Sequence, residues 1–169
     1  MKRWICAVSL LVTVGCSAVP SVPAHLQSQA AAIRMSGGAF GAAHSGNFTE
    51  GDCSPPGIYG HFSFSGTGSG DFIGRNLESG SMLGNVYQGC SWSGTTKLTS
   101  LAHPRNSLSM ALSLSGGEPC PRFGGRTLFF TVMSGTGKFV HATGSGTVKL
   151  TCSFAKHTYT DEWSGTITF

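Results

Sequence analysis

Few groups in this chain can do chemistry, and they are scattered. They are one adjacent acidic pair, Asp161-Glu162, six singly placed histidines (His25, His44, His61, His103, His141, His157), and six cysteines. Two carboxylates act as an acid/base couple only when both face one space. Neighbours along a strand point to opposite faces, so Asp161 and Glu162 form no couple and read as solvated turn carboxylates. No two histidines have a metal-ligand spacing, which makes them surface or loop residues. Gly89-Cys90-Ser91-Trp92-Ser93 approaches a hydrolase nucleophile elbow, but Ser93 stands where the closing glycine belongs. Gly66-Thr67-Gly68-Ser69-Gly70 and Gly144-Ser145-Gly146 lack the Lys-Ser/Thr pair of a phosphate loop and read as turns. No residue is assigned as catalytic, and neither metal nor cofactor is expected.

The cysteines speak of compartment instead. Cys6 and Cys16 fall in an N-terminal leader, which leaves Cys53, Cys90, Cys120 and Cys152, an even number with no Cys-x-x-Cys pair. That arithmetic fits two disulfides in an oxidising compartment better than a zinc site. Three connectivities are open, and the pairing of sequence neighbours is Cys53–Cys90 with Cys120–Cys152.

The leader itself reads MKRWICAVSLLVTVGC, with Lys2 and Arg3 before an apolar run from Trp4 to Val14. The run is short for a membrane span and matches the hydrophobic region of a secretory signal peptide. Val12-Thr13-Val14-Gly15 before Cys16 resembles a bacterial lipobox, which implies a signal peptide over 1–15, cleavage before Cys16 and acylation there. Cleavage after Ala24, with simple secretion, is the alternative. Residues 16–36, with Pro20, Pro23 and many small residues, then form a lipidated tether, in which Leu26, Ala30 and Ile33 have helical spacing. Residues 37–169 form one domain.

Without Lys2 and Arg3, nine basic residues face seven acidic ones, a net of +2 that is too mild for a nucleic-acid partner. Charged residues are only 11% of the chain against 40% hydrophobic, which excludes a disordered protein. The elements that position everything else are strands. Leu108, Met110, Leu112 and Leu114 alternate with Ser107, Ser109, Ala111 and Ser113, a pattern that puts all four apolar residues on one face of a strand and scatters them around a helix. Ile58, Gly60, Phe62 and Phe64 repeat the pattern, as do Val148, Leu150, Cys152 and Phe154, and Trp163, Gly165, Ile167 and Phe169. Breaks are expected at 66–70, 79–84, 103–106, 115–125, 134–137 and 156–161. About eight short strands without helical crossovers predict an all-β antiparallel barrel, or alternatively a β-sandwich.

Ser134 to Gly146, SGTGKFVHATGSG, resembles a hairpin of the allene oxide cyclase and dirigent-like β-barrel group, through Gly135, Thr136, Gly137, Phe139, Ala142 and Gly144. Phe62-Ser63-Phe64-Ser65-Gly66-Thr67-Gly68 and the Trp163-Ser164-Gly165-Thr166 strand look like other strands of that group. In this segment Gly135 and Gly137 suit positive φ in a tight turn, and Phe139 suits the barrel end. The resemblance implies a barrel with a central cavity and carries no activity with it. The expected function is that of an exported, membrane-anchored lipoprotein that can hold a small apolar ligand. The alternatives are a cyclase- or isomerase-like enzyme and a structural or adhesive envelope protein. A cavity with converging charged groups would favour the enzyme; a barrel plugged by Trp and Phe would favour the structural protein.

Overall fold

The computed structural model describes residues 31–51, 57–85, 91–115, 125–153 and 155–169. Eight strands run in chain order: β1 (Ile33–Gly51), β2 (Gly57–Gly70), β3 (Gly74–Asn85), β4 (Trp92–Ser100), β5 (Ser107–Leu114), β6 (Gly125–Thr136), β7 (Thr143–Ser153) and β8 (Thr158–Thr168). Each pairs antiparallel with the next, and β1 pairs with β8, closing a barrel. Closure leaves no unpaired edge for another chain to extend. Of the two architectures expected, the barrel is the one formed.

Alternation drives the burial. Leu108, Met110, Leu112 and Leu114 all point inward on β5, and Leu128, Phe130 and Val132 do so on β6. Val148 and Leu150 on β7 and Trp163 and Ile167 on β8 complete that side of one continuous apolar cluster. A bulge between Ser109 and Met110 in the β5–β6 pairing puts the extra residue Met133 on the outside, 60% exposed.

Several expected breaks are strand interior. Gly66–Gly70 lies within β2, Ser79–Gly84 within β3, and Gly144-Ser145-Gly146 within β7. The glycines there do not turn the chain; they make room. A Cβ at Gly146 would sit 2.7 Å from the Phe130 ring, and Cβ atoms at Gly80 and Gly84 would collide with Phe64 and Trp92. Each of these aromatics lies opposite its glycine in the cross-strand register. The break at 103–106 is a true turn. The first strand begins at Ile33, inside the stretch assigned to the tether, with Met35 fully buried. Ile33 is therefore in a strand, while Leu26 and Ala30 lie outside the described residues. No helix among the described residues is long and apolar enough to cross a membrane.

The start of β1, the β2–β3, β4–β5 and β6–β7 turns and the end of β8 all lie at one end of the barrel. Phe72, Phe139 and Phe169 plug it, with Phe139 edge-on to both others at 6.2 and 4.8 Å between ring centroids.

Candidate functional site: a buried acid cluster behind an outer groove

The register of β8, β1, β2 and β3 builds two rows across the inner wall. One is Tyr159, Gly41, Gly66, Glu78; the next is Asp161, Ala39, Gly68, Asn76. Two glycines between Tyr159 and Glu78 leave space for the phenol to lie along the wall. A Cβ at Gly66 would come within 2.8 Å of the Tyr159 hydroxyl.

Tyr159 donates to Glu78 Oε2 at 3.1 Å, and Thr96 of β4 donates to Glu78 Oε1 at 3.1 Å. Asp161 Oδ1 accepts the Ala39 backbone N–H at 2.6 Å. The two carboxyl groups are hydrogen-bonded to each other. Glu78 is 2% exposed and Asp161 5%, and no Lys, Arg or His is buried among the described residues. With no cation to compensate, desolvation raises both pKa values. Glu78 is raised well above the usual carboxylate range, first by burial and then by the charge of Asp161 and their shared hydrogen bond. Asp161 is raised by burial, against the opposing effects of Glu78, the Ala39 N–H and the nearby Trp163 indole. Both carboxyl groups are therefore raised, Glu78 the more strongly. Burial, followed by the charges of both carboxyl groups, pushes Tyr159 far up as well, so the phenol stays a donor.

The Trp163 indole N–H is close enough to Asp161 to favour its charged form, yet it makes no well-formed hydrogen bond. The contact is weak, and the Asn76 side-chain oxygen is likewise unsatisfied. Both residues line an enclosed space of about 10 Å³, no larger than a single water requires. On the outside, Asp161 contributes to an open groove of about 580 Å³ together with Phe40, Thr67, Ser69, Arg75 and Leu101. No cluster of three or more His, Cys, Asp or Glu able to hold a metal occurs among the described residues. A carboxyl pair of this kind can hold and pass a proton, and the hydroxyls beside it, Tyr159 and Thr96, donate to Glu78.

Asp161 is therefore not the solvated turn residue expected. It points inward from β8, while Glu162 faces solvent. The opposition of their faces was foreseeable, but Glu78 was missed. Its signal is the phase Asn76, Glu78, Gly80, Met82, Gly84, legible only if the strand is carried through the glycines.

The hairpin residues come together at the plugged end. Gly137 has φ +61 and opens a single 3-10 turn, Gly137–Phe139. Gly135 does not take positive φ; it is a close-approach residue, since a Cβ there would meet Phe139. Thr136 Oγ1 donates to the Arg105 carbonyl at 2.6 Å and accepts the Ser107 N–H at 3.1 Å, tying this turn to the β4–β5 turn. Phe139 is fully buried, Ala142 is 6% exposed, and Gly144 packs against β8. Lys138 Nζ donates to the Phe72 carbonyl at 2.7 Å and lies over the Phe139 and Phe169 rings. These are construction residues, not a reactive site.

Cys152, near the end of β7, is half-buried against the core and is engaged, not free. Cys16, Cys53, Cys90 and Cys120 lie outside the described residues, as do Phe154 and His25. His44, His61, His103, His141 and His157 are all exposed. Comparison of the chain with protein-family models, with curated proteins and with solved structures finds no match.

Proposed function

We propose that this chain is an exported lipoprotein, held to the outer face of a membrane through acylated Cys16, whose barrel works by its surface and catalyses no reaction. The observation that carries the surface role is the packed interior. Inward-facing Phe, Trp, Leu and Met form one cluster from Trp92 and Leu114 at one end to Phe139 at the other. Eight-stranded barrels either fill with side chains or enclose one small ligand. The space lined by Asn76, Leu98 and Trp163 within that packing is about 10 Å³. A small apolar ligand would then bind in the outer groove, where Phe40 is 67% exposed. Kinship with the allene oxide cyclase and dirigent-like group belongs to the same proposal. It is supported by the closed eight-stranded barrel and by the positive-φ turn at Gly137.

Two disulfides, Cys53–Cys90 and Cys120–Cys152, complete the picture. The bonded state of Cys152 supports a disulfide at that residue.

Native mass spectrometry of protein taken gently from its own envelope tests the surface role. A bare polypeptide mass is expected, with acyl groups and two disulfides; a retained small apolar molecule that survives competition only in the barrel interior would overturn it. Membrane fractionation of Cys16→Ser tests the anchor. Release into the soluble fraction is expected, and unchanged fractionation with no loss of acyl mass would refute lipidation at that residue.

A further inference from the structure

Charge at one end of the barrel is almost all of one sign among the described residues. At the plugged end Arg34, Arg75, Arg105 and Lys138 are exposed, and Asp71 is the one carboxylate there among the described residues. Asp71 accepts a hydrogen bond from the Ser36 hydroxyl. The opposite strand ends and the connections between them carry Glu50, Asp52 and Glu118 against Arg122, Arg126 and Lys156, so their charges balance in the sequence. Charge on the side wall is sparse, and one of its cations, Lys149, lies opposite Glu162 in the β7–β8 register.

The cationic end also exposes apolar side chains. Ile33 is 44% exposed, Leu101 42% and Val140 54%. All three stand where β1 begins or in turns that the packing holds stiffly. Leu101 N–H donates to the Arg75 carbonyl at 2.8 Å, and the Phe139 carbonyl accepts from Ala142 N–H at 2.9 Å. A rigid surface with apolar tips among cations, and few anions, is the surface chemistry that fits the headgroup region of an anionic bilayer.

This is also the end from which the N-terminal stretch leaves, because β1 starts there. The sixteen residues from Ser17 to Ala32 span at most about 55 Å when fully extended, so an acylated Cys16 keeps this end close to the bilayer. From charge, exposed apolar tips and chain direction together, we infer that the plugged end of the barrel docks on anionic lipid headgroups as a second membrane contact beside the acyl anchor. The inference extends the anchored lipoprotein proposed above, and it gives the barrel an orientation. The acid-cluster groove lies near the membrane, and the end at which β7 delivers Cys152 faces away.

The test uses the full chain carrying Cys16→Ser, so that no acyl group contributes, with vesicles of phosphatidylcholine alone or mixed with phosphatidylglycerol. The apolar run of the leader contributes equally to every variant. Partition onto the mixed vesicles should exceed that onto neutral ones and should fall as salt is added. Arg34→Gln/Arg75→Gln/Arg105→Gln should lower it at least tenfold, since each basic residue near an anionic surface is worth roughly fivefold. The charge-matched control Lys97→Gln/Arg126→Gln/Lys149→Gln should leave it within about twofold, because those charges lie on the wall or at the far end. Equal losses in the two triple variants, or equal partition on the two vesicle types, would overturn the inference.

A second measurement guards against a misfolded variant. Val140→Trp should show a blue-shifted indole emission on the mixed vesicles, whereas Phe129→Trp on the outer wall of β6 should not. A shift at both positions, or at neither, would also overturn it. If Cys16→Ser loses no acyl mass in cells, the anchor fails while this contact stands; if partition ignores charge, this contact fails while the anchor stands.

Discussion

Strands β5–β7 and strands β8, β1, β2 and β3 share one hydrogen-bonded meander, yet they fill the barrel by opposite means. On the first side the inward residues are large and aliphatic or aromatic, and Leu108 and Met110 are fully buried. On the second, inward glycines and alanines and a few long polar side chains are set among buried Phe62, Phe64, Met82 and Trp163. Gly37, Ala39, Gly41 and Ala43 line β1 where Glu78, Tyr159 and Asp161 reach over them. The first side is stabilised by area removed from water, about 25 cal/mol per Å². The second can be no better than neutral unless every buried polar group finds a partner. A small inner wall is thus the condition for a buried acid cluster, and glycine content and carboxyl burial are one feature seen twice.

The largest effect should come from the aliphatic side. Leu108→Ala removes a fully buried side chain and should cost about 2–5 kcal/mol in urea unfolding, whatever the pH. A loss under 1 kcal/mol would mean that this side is not the better packed. On the polar side the sensitive change is the reverse, small to large. Gly66→Ala would press on the Tyr159 hydroxyl and the Phe40 carbonyl and should cost about 1–3 kcal/mol. If stability is unchanged, the glycine is not holding space for the phenol.

The two sides should also part company with pH. Glu78 and Asp161 have folded pKa values raised above their unfolded ones, so the folded state binds more protons than the unfolded chain. Their contribution is fully present below the unfolded carboxylate range near pH 4 and is lost as pH rises toward the folded values. Stability should therefore decline from about pH 4 upward, by at most about 1.4 kcal/mol per pH unit for each group. Glu78→Gln keeps a donor group but only one of the two oxygen acceptors that Tyr159 and Thr96 use. It should cost about 1 kcal/mol at pH 5 and flatten the decline. Chemical denaturation at a series of pH values checks both. An equally steep decline in Glu78→Gln would show that other groups carry it.

A further effect lies at the plug that both sides share. Gly137→Ala places a side chain at φ +61 and against the Asn106 side-chain oxygen, and should cost about 1–2 kcal/mol. Thermal unfolding would show it, and no change would mean that the turn relaxes freely.

The sequence by itself made most strands legible, because a period of two in apolar residues is a local property, but the stretches Gly66–Gly70 and Ser79–Gly84 inside β2 and β3 read as breaks. It determined the faces of β5, β7 and β8 and the fact that Asp161 and Glu162 point apart, since both follow from alternation alone. It also located Gly137 and Phe139, whose turn is built from adjacent residues. Only the tertiary structure decided what the glycines were for. A glycine that bends the chain and a glycine that lies under an aromatic ring look alike in sequence, and the ring comes from another strand. Only the structure paired Glu78 with Asp161, 83 positions apart. Burial of a carboxyl group is decided by what closes over it, and here β8 and β3 meet across β1 and β2 only because the barrel closes.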